Sequence, residues 1–341
     1  MKADDLRALL LTGAANIRWV TGFSGSSAKV YVPSGGEPVL VTDGRYVERA
    51  SEEAPGWTVV SDRAWGWLAD HHDPGTPLAV EADHMTWAAA RQLEEQTLAA
   101  CLRPTTGVVE TLRQIKDDRE IDTLRRACAI TVAAFEQALG WLSPGLSEQA
   151  VTRRLVDEMI DLGADASAFE PIVAAGSNGS RPHHSPGTDP IRSGHLVTMD
   201  FGALVDGYHA DMTRTVAVGT PDPDLIGVYE VVRAAQHAGV ALVADGVGAA
   251  DVDRSCRDVI EAAGHGDAFL HPTGHGVGLD IHESPILSST TTSTLHDRMT
   301  VTVEPGVYIA GLGGVRIEDV VLVGPTGAER LTTAPRQLIT L

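Results

Sequence analysis

Basic residues are scarce. In a chain of 341 residues, 26 Lys and Arg stand against 46 Asp and Glu, a formal net charge of −20. So acidic a balance argues against sequence-independent binding to nucleic acid or anionic membrane, since both need basic surface. Cysteine is equally sparse. Cys101, Cys128 and Cys256 are odd in number, scattered and without CxxC spacing, so they build neither a disulfide framework nor a thiolate metal site. Buried thiols in a reducing compartment are expected. No apolar run approaches the roughly 20 residues that span a bilayer. The opening MKADDLRALLLTG has a short apolar run behind acidic residues and no cleavage site, so a cytoplasmic protein is expected. An HExxH helix, short-period repeats and low-complexity tracts are also missing.

What is present suits a large core: 43% apolar and 21% charged residues. The length predicts two domains. In the first third, RALLLT, KVYVP, PVLVTD, WTVVS and PLAVEA predict strands, and GRYVERASEEA, AWGWLADHH and HMTWAAARQLEEQT predict helices. That is α/β layering. Residues 116–142 then form a long amphipathic pattern, with Ile121, Leu124, Ala127, Cys128, Thr131, Ala134 and Phe135 at helical spacing and Pro144-Gly145 as the stop. The domain boundary is placed just before it, giving domains 1–115 and 116–341. Beyond, Ser147 should cap a helix running to about Leu162. Two more helices, LIGVYEVVRAAQHAGVALV and ADVDRSCRDVIEAA, mix with strand-like HLVTMDFGALVDGYHADMTRTVAVG, RMTVTVEPGVYIAG and GVRIEDVVLVG. The class is α+β.

Asp200 and Asp211 interrupt strand-like sequence, although aspartate is a poor strand former. Between them, Asp206-Gly207 is a strong two-residue hairpin signal. A turn there pairs Val205 with Tyr208 and Asp200 with Thr213, and leaves Asp200 and Asp211 diagonal neighbours on one face, roughly 7–8 Å apart. Two carboxylates so placed repel unless one is protonated or a cation lies between them. FLHPTGHGVGLDIHESP crowds His271, His275 and His282 into a glycine-rich segment, and imidazole serves both as metal ligand and as general acid or base. In VTVEPGVYIAGLGGVRIEDVVLV, Glu304 precedes Pro305-Gly306, and Arg316 and Glu318 share a strand face. The register between Glu304 and Glu318 stays open. Such a set suits two divalent ions of the Mn, Co or Zn kind better than a structural zinc, and hydrolysis of an amide or ester would follow.

Together these clusters resemble the pita-bread metallopeptidases, in the proline-peptide branch of Xaa-Pro aminopeptidases and prolidases. MDFGALVDGYHADMTRT, HPTGHGVGLDIHESP, TVEPGVYI and GGVRIED match in the family's order, as does SNGSRPHHSPG. Upstream, NIRWVTGFSGSSAKVYV, LVTDGRYVERA and LRQIKDDREIDTLRRA resemble the family's N-terminal domain and linker helix. The resemblance implies a pita-bread catalytic domain behind a smaller N-terminal α/β creatinase-like domain. It implies Asp200, Asp211, His275, Glu304 and Glu318 as ligands of two divalent ions, with Mn favoured over Co or Zn, and Glu304 as the proton-handling carboxylate. His183 and His282 would contact substrate, His271 would lie near the scissile carbonyl, and Arg316 would orient a ligand carboxylate. His184 is expected to be a solvent-facing loop residue. Pro272, His195 and Ala210 depart from residues common in the family without removing a ligand. The implied function is an exopeptidase cleaving between an N-terminal residue and a following proline. The alternative is a prolidase restricted to Xaa-Pro dipeptides, and a non-catalytic peptide-binding relative is disfavoured by the complete ligand set. A homodimer is expected, and Arg45 in TDGRY is a candidate partner, supplied across the dimer, for a dipeptide's free carboxylate.

Overall fold

The structure, a computed structural model, describes residues 7–73, 75–96 and 101–341. The acidic opening MKADDL and the helix end expected at Thr97 lie outside these residues. The chain divides into two compact units, Met1–Arg113 and Gln114–Leu341.

The first unit is a six-stranded sheet of β1 (Ala8–Leu11), β2 (Ala28–Pro33), β3 (Val39–Thr42), β4 (Thr58–Ser61), β5 (Pro77–Glu81) and β6 (Cys101–Thr105), in the order β4-β3-β2-β1-β5-β6. Its helices are α1 (Ala14–Thr21), α2 (Val47–Glu53), α3 (Trp87–Gln96) and α4 (Val108–Arg113). Alternation along β3 sends Val39 and Val41 to one core with Trp65, Trp67 and Leu68, and Leu40 to the other with Ile17 and Ala50. Both faces are therefore covered, which is why VLVT reads as an unbroken apolar run. The helix expected over AWGWLADHH is corrected to a 3-10 turn at Gly66–Asp70. One tight turn already buries both tryptophans and Leu68. Sequence periodicity also missed α1, α4 and β6, each short and, in β6, carrying Arg103 and Pro104.

In the second unit α5 (Asp118–Ala138) begins at a reciprocal cap, where Asp117 accepts from the Glu120 amide and Glu120 from the Asp117 amide. After it come α6 (Glu148–Asp161), β7 (Ala166–Ser167), β8 (Ile172–Ala175), β9 (His195–Phe201), β10 (Ala203–Val205), β11 (Tyr208–His209), β12 (Met212–Val218), α7 (Pro223–Leu242) and α8 (Ala249–Ala262). The strands β13 (Gly274–Gly276), β14 (Glu283–Leu287), β15 (Thr300–Val303), β16 (Gly306–Ile309), β17 (Gly313–Arg316), β18 (Asp319–Val323) and β19 (Ala328–Arg330) complete it. Phe135, Leu155 and Met159 of α5 and α6 pack on Val173, Met199 and Val216 of the β12-β9-β8 sheet. Tyr229, Val232, Val252 and Cys256 of α7 and α8 pack on Val301, Val303 and Val321 of the β14-β13-β15-β18-β19 sheet. Two helix pairs thus back two sheets, and the strands' other faces are left to form a site. Cys128 and Cys256 are buried free thiols, whereas Cys101 is only half-buried. Among the described residues no helix is long and apolar enough to cross a membrane.

Candidate metal centre

The hairpin forms as its turn residues dictate. Asp206 and Gly207 take φ of 47° and 78°, the left-handed pair that a twisted two-residue hairpin requires. Val205 pairs with Tyr208 and Asp200 with Thr213. The register runs on unbroken, which sets Asp211 opposite Gly202. Here a Cβ on residue 202 would lie 1.8 Å from the Ala210 carbonyl oxygen, so only glycine lets the strands cross this closely. Asp211 is left 5% exposed.

Across from this hairpin, β13 supplies His275, the exit of β15 supplies Glu304, and the corner between β17 and β18 supplies Glu318. Val303 pairs with Asp319, which settles the open register by placing Glu304 beside Glu318. Asp211, His275 and Glu318 each offer an atom within 4.8 Å of the others. His275 Nε2 lies 3.5 Å from Asp211 Oδ2 and 3.3 Å from Glu304 Oε1. Its Nδ1 lies 3.0 Å from the Gly276 carbonyl, which can only accept, so the Nδ1 proton points there and Nε2 faces the acids.

Arg316 orients the other side. It donates from Nη2 to Asp200 Oδ2 at 2.6 Å and from Nε to Thr213 Oγ1 at 3.0 Å, and Thr213 in turn donates to Glu318 Oε2 at 2.7 Å. Each carboxylate is tied by one oxygen. The other oxygens, Asp200 Oδ1 and Glu318 Oε1, are buried without a hydrogen-bond partner among the described residues, a costly condition for a carboxylate. Burial raises the pKa of Asp200, with Arg316 opposing and Glu304 adding to it. Burial, then the charges of Glu318 and Asp200, lift Asp211 well above the carboxylate range. Glu318 is lifted in the same way, by burial and then by Glu304 and Asp200. Burial also works against the charge on Glu304, but the His275 imidazole outweighs it and holds that carboxyl at about 2. Buried acids that repel one another and keep oxygens free are the arrangement a cation relieves. Carboxylate oxygens with one imidazole nitrogen fit two divalent ions of the Mn, Co or Zn kind.

A cleft of about 360 Å³ opens onto these five residues and is also lined by His183, His271, His282 and Arg316. The structure thus brings all nine residues nominated from sequence to one cavity. His282 packs edge-on against His275, with ring centroids 4.4 Å apart. Both ring nitrogens of His271 are taken: Nδ1 donates to the Pro272 carbonyl at 2.8 Å, and Nε2 meets the Tyr308 hydroxyl at 2.8 Å. Burial, first among several influences, lowers the His271 pKa, which favours the neutral ring. Tyr308 also accepts from Arg316 Nη1 at 2.8 Å. Sequence reading missed Tyr308, which the two-residue period from Gly306 could have flagged, and Phe169 of the cleft wall, which carried no local signal. The expectation for His184 is corrected. Its side chain is 9% exposed and turned inward onto Glu148, because a buried carboxylate offers it a partner that solvent exposure would forgo.

Arg45 lies in the first unit, 65% exposed, its guanidinium paired with Asp43 at 2.7 Å.

A carboxylate-rich, cation-ready cleft on this α+β fold defines a class of metal-dependent hydrolase, and comparison with known proteins narrows it. Residues 122–325 match Metallopeptidase family M24, and residues 1–115 match the Creatinase/Prolidase N-terminal domain. An uncharacterized peptidase of Bacillus subtilis, YqhT, is 40% identical, covering 100% of both chains. The structure of an Xaa-Pro dipeptidase from Bacillus anthracis superposes with a TM-score of 0.95 at 39% identity, covering 98% of this chain and 95% of that one. An X-Pro aminopeptidase from Thermotoga maritima gives 0.91 at 29%, covering 98% of each. The chain belongs to metallopeptidase family M24 and has its pita-bread fold, with a creatinase-like N-terminal domain. It is a metallopeptidase.

Proposed function

We propose that this peptidase is an Xaa-Pro aminopeptidase, releasing the N-terminal residue of peptides whose second residue is proline. The observation that supports this is the cleft's charge. Among the described residues that line it, Arg316 is the one Arg or Lys, and its guanidinium is committed to Asp200, Thr213 and Tyr308. No free cation there would hold the carboxylate of a dipeptide, so the chain beyond proline can run out. The prolidase reading draws on the name of the Bacillus anthracis relative and on exposed Arg45 as a carboxylate partner from a second subunit.

In this reading Asp200, Asp211, His275, Glu304 and Glu318 hold two divalent ions, Mn preferred. When bound, the ions would supply a water of lowered pKa and positive charge to stabilise the developing oxyanion. Glu304 would take the attacking water's proton and return it to the proline nitrogen. His183 and His282, both exposed at the cleft mouth, orient the peptide. His271, neutral, must loosen one of its two bonds to donate toward the developing oxyanion. Arg316 keeps Asp200 in place. The catalytic part is residues 116–341 behind an N-terminal domain of 1–115, in a cytoplasmic homodimer. Light scattering that gives a monomer would remove the dimer.

Parallel turnover of Xaa-Pro and Xaa-Pro-Yaa-Yaa by Mn²⁺-loaded enzyme tests the reading. Faster cleavage of the longer peptide is expected. Cleavage of the dipeptide alone would establish the prolidase alternative.

A further inference from the structure

Glu148 opens α6, and its side chain is 1% exposed. Oε1 accepts from the Ala175 amide at 2.8 Å and from Asn178 Nδ2 at 2.9 Å. Oε2 accepts from the Gly187 amide at 2.8 Å and stands 2.8 Å from His184 Nε2. All four partners lie within 175–187, the stretch that brings His183 to the cleft mouth. A carboxylate has about four acceptor positions, and here every one is used by that stretch. The approach is tight as well, since a Cβ on residue 187 would lie 3.3 Å from Oε2. Burial alone would raise this carboxyl, but the four contacts outweigh it and hold it below its ordinary value. The Gln149 amide adds a tie to the Gly187 carbonyl at 3.1 Å. Glu148 itself is absent from the cleft wall. His183 and His184 therefore part company: one ring lines the cleft, and its neighbour is anchored behind it.

We propose that Glu148, gripping His184 and the backbone on either side, is a positioning residue for peptide recognition that fixes the loop so that His183 meets the substrate. The inference rests on reading His183 as a substrate contact. Hydrogen bonds to a buried charge are stronger than neutral ones, so the loop is held in one conformation before the peptide arrives, and its ordering cost does not fall on binding.

Kinetics on an Xaa-Pro peptide, with metal content measured in parallel, test this. His184→Leu should raise KM about tenfold or more, leave kcat within about threefold, and retain the wild-type metal content. His184→Gln, whose amide nitrogen can take the place of Nε2, should return KM to within about twofold of wild type. Glu148→Gln should also raise KM, because its amide nitrogen faces two donors. Should it fail to fold, the His184 pair decides. Wild-type KM in His184→Leu, no rescue by glutamine, or a loss confined to kcat or to bound metal would each overturn the clamp. His183→Ala separates the two readings. An unchanged KM there would remove the substrate contact itself, whereas a raised KM with silent His184 and Glu148 variants would remove the clamp alone.

Discussion

Asp211 gathers the site's electrostatic tension into one side chain. It is buried, faces His275 at 3.5 Å, and is pushed upward by burial and then by Glu318, Asp200 and Glu304. An amide of the same shape keeps the volume but removes the anionic donor. Asp211→Asn should therefore lower kcat at least about a hundredfold and reduce bound metal; a variant turning over near the wild-type rate would refute the role proposed for it. A second buried charge lies deeper. Arg214, 1% exposed, pairs with Asp319 Oδ1 at 2.6 Å and also donates to the carbonyls of Thr213 and Glu318. Asp319→Ala leaves that guanidinium buried without its anion, and we expect a loss of about 3–5 kcal/mol in urea unfolding. The Asp200 and Asp211 positions were legible because acids in strand-like sequence contradict their own propensity, and Glu318 through the strand face it was expected to share with Arg316. Arg214 and Glu148 were not, since a charge beside a helix start or in a strand gives no hint of what will bury it.

At the scale of elements, the hairpin from β9 to β12 was readable from Asp206-Gly207 alone, because a turn type fixes register and register fixes faces. Its bend was not. Gly202 looks like any strand glycine until Ala210 is seen pressed against it. Gly202→Ala should cost about 2 kcal/mol or more, through a backbone clash that no rotamer relieves, and chemical denaturation would show it. A shift under about 0.5 kcal/mol would mean that the strands part freely there. The long helix α5 announced itself through its apolar period and the Pro144-Gly145 stop, whereas short β7, β8 and α4 did not. Their few residues carry too little pattern, and pairing partners far along the chain decide them.

Over the whole molecule, the catalytic unit accumulates buried acids that its own cations do not neutralise. Arg316 serves Asp200, and Thr213 serves one oxygen of Glu318; the remainder is left to bound ions. Stripping metal with a chelator should lower Tm by several degrees, and added Mn²⁺ should restore it, because a ligand that binds only the folded state adds its binding energy to stability. An unchanged Tm would mean that the acids carry protons instead. The motif order, the hairpin register and the ligand-type residues were determined by sequence alone, since each rests on local chemistry or on a spacing that survives without a fold. Tertiary structure decided which strand ends converge, that Glu304 comes to lie beside Glu318, that Tyr308 joins His271 to Arg316, and that His184 turns inward to Glu148. Those are contacts between residues tens to more than a hundred positions apart or around a corner of the chain, and only packing chooses among the partners that sequence leaves open.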